Sequence, residues 1–423
     1  MELNMDSKKT IWILNHHATG MALQHGGRHY YFAKYLKEKG YDVRIFCASV
    51  LHGSQEDVVD LQGNISKELI VDGISFVFVK TRKYQGNGFS RVLGMFDYYF
   101  NVKKACKQYP RPDVIIGSSV HPLACVAAIH LSKRYSCKNI VEIRDLWPES
   151  ILEYGLASTK NPLIKCLYRL EKWLYAKANS LVFTMEGGKD YIIEKGWDKP
   201  HGGPVELDKV HHINNGVDLD IFDTNIQEKV IEDADLDNPD SFKFVYTGSI
   251  RRANNLDLVL DAAKLVQDPN IQFLIWGEGD QLARLRQRIK DEKIQNVIFK
   301  EKVGKHFVPG ILKRADATFF VLETSSLFRF GLSLNKSFEY LAAGKPLLIV
   351  GDAAYSMIDK YKCGYHLREN SPQKFSKFVE QLVGLDSREY QALCENAREA
   401  AKKYDFKVLT DKLIKILECN SSP

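Results

Sequence analysis

The sequence contains no run of about 18 uninterrupted apolar residues, and its first ten residues, Met1 to Thr10, are polar with no apolar segment behind them. Neither a membrane-spanning helix nor a secretory signal is predicted, so the expected location is the cytosol. Cysteine is sparse. Cys47, Cys106, Cys125, Cys137, Cys166, Cys363, Cys394 and Cys419 form no Cys-x-x-Cys pair and have no histidine at ligand spacing. They read as reduced, mostly buried thiols rather than as disulfides or a zinc site. An excess of one charge is also missing: the formal net charge is +6 over 423 residues. The basic residues are spread along the chain, and no zinc-finger, recognition-helix or aromatic RNA-platform pattern occurs, so no nucleic-acid partner is expected. The first hydrophobic run is followed by NHHATGMALQHGG, not by the tight Gly-x-Gly-x-x-Gly turn that a nicotinamide dinucleotide needs. Internal repeats and low-complexity tracts are lacking as well.

What is present is the balance of a globular protein, 45% apolar and 26% charged residues, in a chain long enough for two domains. Short β-branched runs alternate with helical patterns. The first series comprises IWILN (11–15), DVRIFCA (42–48), ISFVFV (74–79), DVIIG (113–117), IVEIR (140–144) and LVFT (181–184). After a polar, linker-like stretch, Thr224 to Ser241, the pattern restarts with FKFVYT (242–247), IQFLIW (271–276), NVIFK (296–300), DATFFVL (316–322) and PLLIV (346–350). This alternation predicts an α/β protein of two Rossmann-like doubly wound domains facing a central cleft, with ligands at the carboxyl ends of the strands. The boundaries are placed at 1–213 and 214–405, with a closing helix at about 406–423 packing back on the first domain.

The stretch GLSLNKSFEYLAAGKPLLIV (331–350) carries the most chemistry. A Gly/Ser loop containing Ser333 runs into a helix starting near Asn335, which presents free backbone N–H groups where an anion can sit. Lys336 puts a cation in the first turn, unfavourable for the helix alone and therefore suited to a diphosphate. Glu339, one turn on, is placed to hold two ribose hydroxyls.

This passage resembles the nucleotide-binding segment of retaining GT-B glycosyltransferases of family 4, in particular the bacterial surface-polysaccharide branch (capsule and O-antigen, L-fucosamine-transferase-like). RDLWPES (144–150) is similar to a hallmark of that branch, and NNGVD (214–218) to the family's interdomain hinge. YTGS (246–249) and WGEGD (276–280) resemble the first turns of its donor domain, and FKEKVGKHFVPGILKRAD (299–316) the wall of its base pocket. The resemblance implies a GT-B fold and a metal-independent hexosyl or N-acetylhexosaminyl transferase without a cofactor, moving sugar from a UDP-sugar to a lipid-linked or growing saccharide at the cytoplasmic face of the inner membrane. The implied donor set is Gly27, Gly248, Ser249, Arg251, Arg252, Gly277, Val303, Ser333, Asn335, Lys336 and Glu339. Asp145, Arg144 and His121 are the implied catalytic residues, although a lone histidine at a strand end is more often structural.

The pattern also departs from the family. Gly331 stands where many members carry the first of two glutamates; Ser249 and Asn255 replace basic diphosphate anchors, and Arg144 replaces a histidine. Arg251, Arg252 and Arg329 offer charge nearby. Asp218-Leu219-Asp220 lies in the hinge-like segment and is not read as a metal site. The segment 161–177, NPLIKCLYRLEKWLYAK, is expected to pack its apolar face on the sheet, leaving Lys160, Lys165, Arg169 and Lys172 for an anionic lipid surface. A sugar-nucleotide epimerase or hydrolase, or a non-catalytic subunit binding glycan or a partner enzyme, are the competing readings.

Overall fold

Those β-branched runs form two separate parallel sheets in the computed structural model, which describes residues 9–419 apart from Asn87, Val120, Tyr154 and Leu156. Residues 9–214 and 409–419 make one compact unit and residues 215–408 the other.

In the first unit the strands are β1 (Thr10–Leu14), β2 (Asp42–Ala48), β3 (Ser66–Val71), β4 (Ile74–Val79), β5 (Val114–Ser118), β6 (Lys138–Ile143), β7 (Ser180–Phe183) and β8 (Val210–His212). They lie in the order β3-β4-β2-β1-β5-β6-β7-β8, all parallel except β3. The central strands are buried along their length, as a sheet covered on both faces requires. The hairpin strand β3 was not legible as a strand because SKELIV is an edge segment with alternate residues exposed. Its turn, Asp72-Gly73, has both residues at positive φ, 48° and 74°, as a two-residue hairpin demands. The Phe406–Glu418 helix returns to this unit, where Tyr41 donates to Glu418 at 2.7 Å and Lys39 pairs with Asp411 at 2.7 Å.

The second unit holds β9 (Phe242–Thr247), β10 (Ile271–Trp276), β11 (Val297–Lys300), β12 (Ala317–Val321), β13 (Leu347–Val350) and β14 (Gly364–Leu367), in the all-parallel order β11-β10-β9-β12-β13-β14. The polar stretch read as a linker from Thr224 is helical at its start: Leu219–Glu228 is a helix whose N-terminus is capped by Asp218, accepting from the Ile221 N–H at 3.0 Å. A capping Asp, not a polar composition, sets the local structure there.

At the ends of β9 and β10 two turns are zipped together by the hydrogen bonds Gly248 N–H to Trp276 O (3.0 Å) and Ile250 N–H to Glu278 O (2.8 Å). The backbones approach so closely that a β-carbon on Gly277, at φ 155°, would lie 1.8 Å from Gly248 O, and one on Gly279 would lie 2.1 Å from Ile250 O. Gly277→Ala is therefore expected to destabilise the second unit by about 2 kcal/mol or more, seen as an earlier denaturant transition for that unit; an unshifted transition would contradict the close approach.

Candidate active site

The Asn335–Ala342 helix begins after Leu334 with no side chain capping its N-terminus, and it runs beside the end of β9. Two residues one turn apart fasten it there. Tyr340 accepts from the Thr247 N–H at 2.7 Å and donates to Thr247 O at 3.1 Å. Lys336 donates to the Tyr246 hydroxyl at 2.9 Å and lies over that ring, its Nζ 4.3 Å from the centroid. A β-carbon on Gly248 would sit 3.3 Å from Lys336 Nζ, so the ammonium hangs over the glycine turn. Burial pushes the Lys336 pKa down to about 8, with Glu339 pulling the other way. Glu339 is half-buried and 3.4 Å from Lys305 Nζ, which joins it to the loop carrying Val303. Val303 packs on the core of the unit.

Gly248, Lys336 and Glu339 are thus gathered around one strand end, with Val303 in the loop that Lys305 ties to Glu339, while other residues of the expected donor set have different duties. The space that Gly277 leaves is filled by the neighbouring turn and is not open to a ligand. Ser333 uses its hydroxyl and carbonyl to accept from Asn215, at 3.2 and 3.1 Å. Ser249 donates to Asn254 at 3.0 Å, and Asn335, Arg251 and Arg252 point outward. Arg252 is 3.8 Å from Glu323 and lines a polar groove of about 390 Å³ with Asn255, Thr324 and Asn370. Asn255, at φ 42°, starts the Leu256–Ala263 helix in a left-handed conformation that asparagine tolerates and lysine does not favour. Tyr246 and Tyr340, both within the quoted motifs, are partners that sequence reading missed; the four-residue spacing of Tyr340 from Lys336 was the available signal.

In the first unit Asp145 follows β6 and Arg144, whose N–H donates to Ser119 Oγ at 3.1 Å. The Asp145 carboxyl reaches the surface in a crowded recess, and the loss of water there raises its pKa against the pull of Arg144 and Arg91. Below it lies a cavity of about 20 Å³ walled by Ile143, Trp147, Leu167, Leu174 and Tyr175. At its edge Glu171 is buried, accepting from Tyr175 at 2.7 Å and Tyr191 at 2.8 Å, and burial still pushes its pKa up to about 8.

His121 does not face an open surface. It is fully buried, its Nε2 is 2.6 Å from His16 Nδ1, and its Nδ1 has no partner among the described residues. His16 stacks on Tyr98, and His17 stacks on His52. Burial, with repulsion from neighbouring histidines and Arg91, holds His16 and His121 well below the ordinary imidazole value, and burial takes His17 down to about 2. Gly27, at φ 105°, opens the Arg28–Glu38 helix, and the atom nearest a β-carbon there would belong to Met21 at 3.1 Å. The next two residues, together with Ser118 of β5, converge on Glu142 of β6: Arg28 Nε at 2.8 Å, His29 Nε2 at 2.9 Å and Ser118 Oγ at 2.9 Å. Burial raises the Glu142 pKa, but Arg28 and His29 outweigh it and keep the carboxyl ionised. Sequence reading missed this network, although a charged residue inside the apolar run IVEIR marked it.

Residues 28–221 match the family described as Glycosyltransferase Family 4 and residues 228–404 match Glycosyl transferases group 1. The chain is a glycosyltransferase of the GT-B type, two Rossmann-type α/β domains in tandem. Each half carries one of these two glycosyltransferase domains, the family 4 domain in the first and the group 1 domain in the second. It is similar to the probable glycosyltransferase WbjE of Pseudomonas aeruginosa, 22% identical over 75% of this chain and 77% of that one. A second relative is the putative teichuronic acid biosynthesis glycosyltransferase TuaH of Bacillus subtilis, 24% identical over 67% of this chain and 68% of that one. Among solved structures, Anabaena HepE in complex with UDP and glucose superposes with a TM-score of 0.64 at 13% identity, over 97% of this chain and 99% of that one, a likeness of fold. Among the described residues no helix is long and apolar enough to cross a membrane.

The buried neutral histidines set a pH dependence. His16, His17 and His121 take up protons only on unfolding, so each removes about 1.4 kcal/mol of stability per pH unit below about 6.5. Glu171, neutral when folded, opposes this with one proton between about 8 and its ordinary value. The melting temperature of the first unit is expected to fall by several degrees from pH 7 to 5.5; a flat profile would mean that the histidines are already charged in the folded protein.

Proposed function

We propose that this chain is a retaining, metal-independent glycosyltransferase that moves a hexosyl or N-acetylhexosaminyl group from a UDP-sugar to a lipid-linked or growing saccharide in bacterial surface-polysaccharide assembly. The observation that carries this reading is the convergence of Lys336, the uncapped start of the Asn335–Ala342 helix and the Gly248 turn at the end of β9. Free N–H groups and an ammonium at one strand end suit a diphosphate. The UDP bound by the structurally similar HepE, and the teichuronic acid assembly named for one relative, point the same way.

In this reading Lys336 and the helix N-terminus stabilise the negative charge that grows on the diphosphate as the sugar leaves. Glu339 accepts from the ribose hydroxyls once a donor displaces Lys305. Arg251 and Arg252 are exposed, and their side chains supplement the charge that Ser249 and Asn255 lack. Asp145 orients the acceptor hydroxyl, whose proton passes to a phosphate oxygen of the departing nucleotide, so no protein nucleophile and no metal take part. His121 takes no direct part, since it is buried against His16.

Glu339→Ala should weaken UDP binding about tenfold or more in calorimetry, the loss of hydrogen bonds to a charged group, while Asp145→Asn should lower kcat about a hundredfold with donor affinity unchanged. Unaltered titrations for the first, or full turnover for the second, would remove those roles. Product analysis separates the rival chemistries: an epimerised or hydrolysed sugar formed without acceptor, or no UDP binding at all, would overturn the transferase reading.

The Lys336 pKa near 8 adds a further expectation. The free protein loses this charge as pH rises through 8, so UDP affinity should decline between pH 7 and 9. In Lys336→Arg that inflection should vanish; its persistence would place the titration elsewhere.

A further inference from the structure

The Phe89–Ala105 helix is apolar on two sides. Its inner side buries Gly94, Met95, Tyr98, Val102 and Ala105 in the first unit. Its outer side carries Phe89, Val92, Phe96 and Phe100 at relative exposures of 74%, 43%, 44% and 55%. The spacing of three, four and four residues places them in one stripe about 16 Å long at 1.5 Å per residue. Phenylalanine is seldom left in water in such a row, and a continuous exposed apolar stripe marks a contact surface.

The charge around the stripe identifies the occupant. Toward the C-terminal end of the helix and just beyond it stand three basic residues, Lys103, Lys104 and Lys107, while the single acid from residue 89 to residue 108 is Asp97. Asp97 is itself paired with Arg82 at 2.7 Å. The adjacent Pro122–Tyr135 helix has no acidic residue and ends in Lys133 and Arg134. Lys103 donates to the Tyr99 hydroxyl at 3.1 Å, and Tyr99 Oη lies 2.9 Å from His130 of that helix, so the basic ends of the two helices lie together.

We propose that the Phe89–Ala105 helix seats this protein on an anionic lipid bilayer, its phenylalanines entering the interface and its basic end meeting the headgroups. A second copy of the chain is the poorer occupant. Four side chains of one helix fall far short of the ~800 Å² per partner that a stable dimer buries, and a two-fold pairing would bring like-charged rims together. The Pro162–Lys177 helix, by contrast, shows only Leu163 among its exposed large apolar side chains and supplies at most outlying charge from Lys165 and Arg169. The proposal extends the lipid-linked acceptor assigned above, yet vesicle binding is read without glycosyl transfer, so either can fail alone.

Flotation of the full chain with phosphatidylcholine vesicles, with and without phosphatidylglycerol, provides the test. Wild type should float with the anionic vesicles and be released by high salt. Phe96→Ser/Phe100→Ser should bind at least about tenfold more weakly, Lys103→Glu/Lys104→Glu should lose the preference for phosphatidylglycerol, and Leu163→Ser should float like wild type. Unchanged melting and UDP binding establish that the variants fold. Hydrogen exchange on wild type should show vesicle-induced protection across residues 89–104, a readout that needs no variant. Failure of wild type to bind, equal binding by the phenylalanine variant, protection elsewhere, or a wild-type dimer that the phenylalanine variant dissociates would each overturn the proposal.

Discussion

Two side chains of one helix, Lys336 and Tyr340, fix the carboxyl end of β9, and the chemistry of the second unit depends on that attachment. Tyr340 satisfies both backbone groups of Thr247 with one hydroxyl, so the strand ends at a set height beside the helix. Lys336 is then held over the Gly248 turn by its bond to Tyr246 instead of ranging through solvent. Holding the cation in place before an anion arrives removes ordering cost from binding, and partial burial strengthens its field. The zipped turns after β9 and β10 make the floor rigid, since each backbone occupies the space a side chain would need on the other.

The first unit is organised around a buried charge. Glu142 sits in the middle of a parallel sheet, where an unpaired carboxylate would be very costly. Arg28, His29 and Ser118 compensate it, and Arg28 also donates to the carbonyls of Ile213 and Asn214. The same network orders the strand ends from which Asp145 and the neutral histidines project. One outer helix of this unit keeps a hydrophobic stripe that no described residue covers.

Much of the architecture was legible in the sequence. DVRIFCA, ISFVFV, FKFVYT and IQFLIW are strands with the bounds that their β-branched runs suggested, because a strand covered on both faces is mostly apolar along its length. The strands missed were β3, β8 and β14, short or edge pieces with partly exposed residues. The helix starting near Asn335 was also legible, since a Gly/Ser loop running into an amphipathic segment marks a helix start.

Sequence alone therefore determined the alternating elements, the two sheets and the helix start near Asn335, because periodicity and turn chemistry are local properties. Only the tertiary structure decided which polar residues are partners. Ser333 was committed to Asn215, Gly277 to the adjacent turn and His121 to His16 by contacts over tens to hundreds of residues. A linear pattern cannot assign such pairs, because burial and hydrogen bonding depend on what the other strands bring alongside.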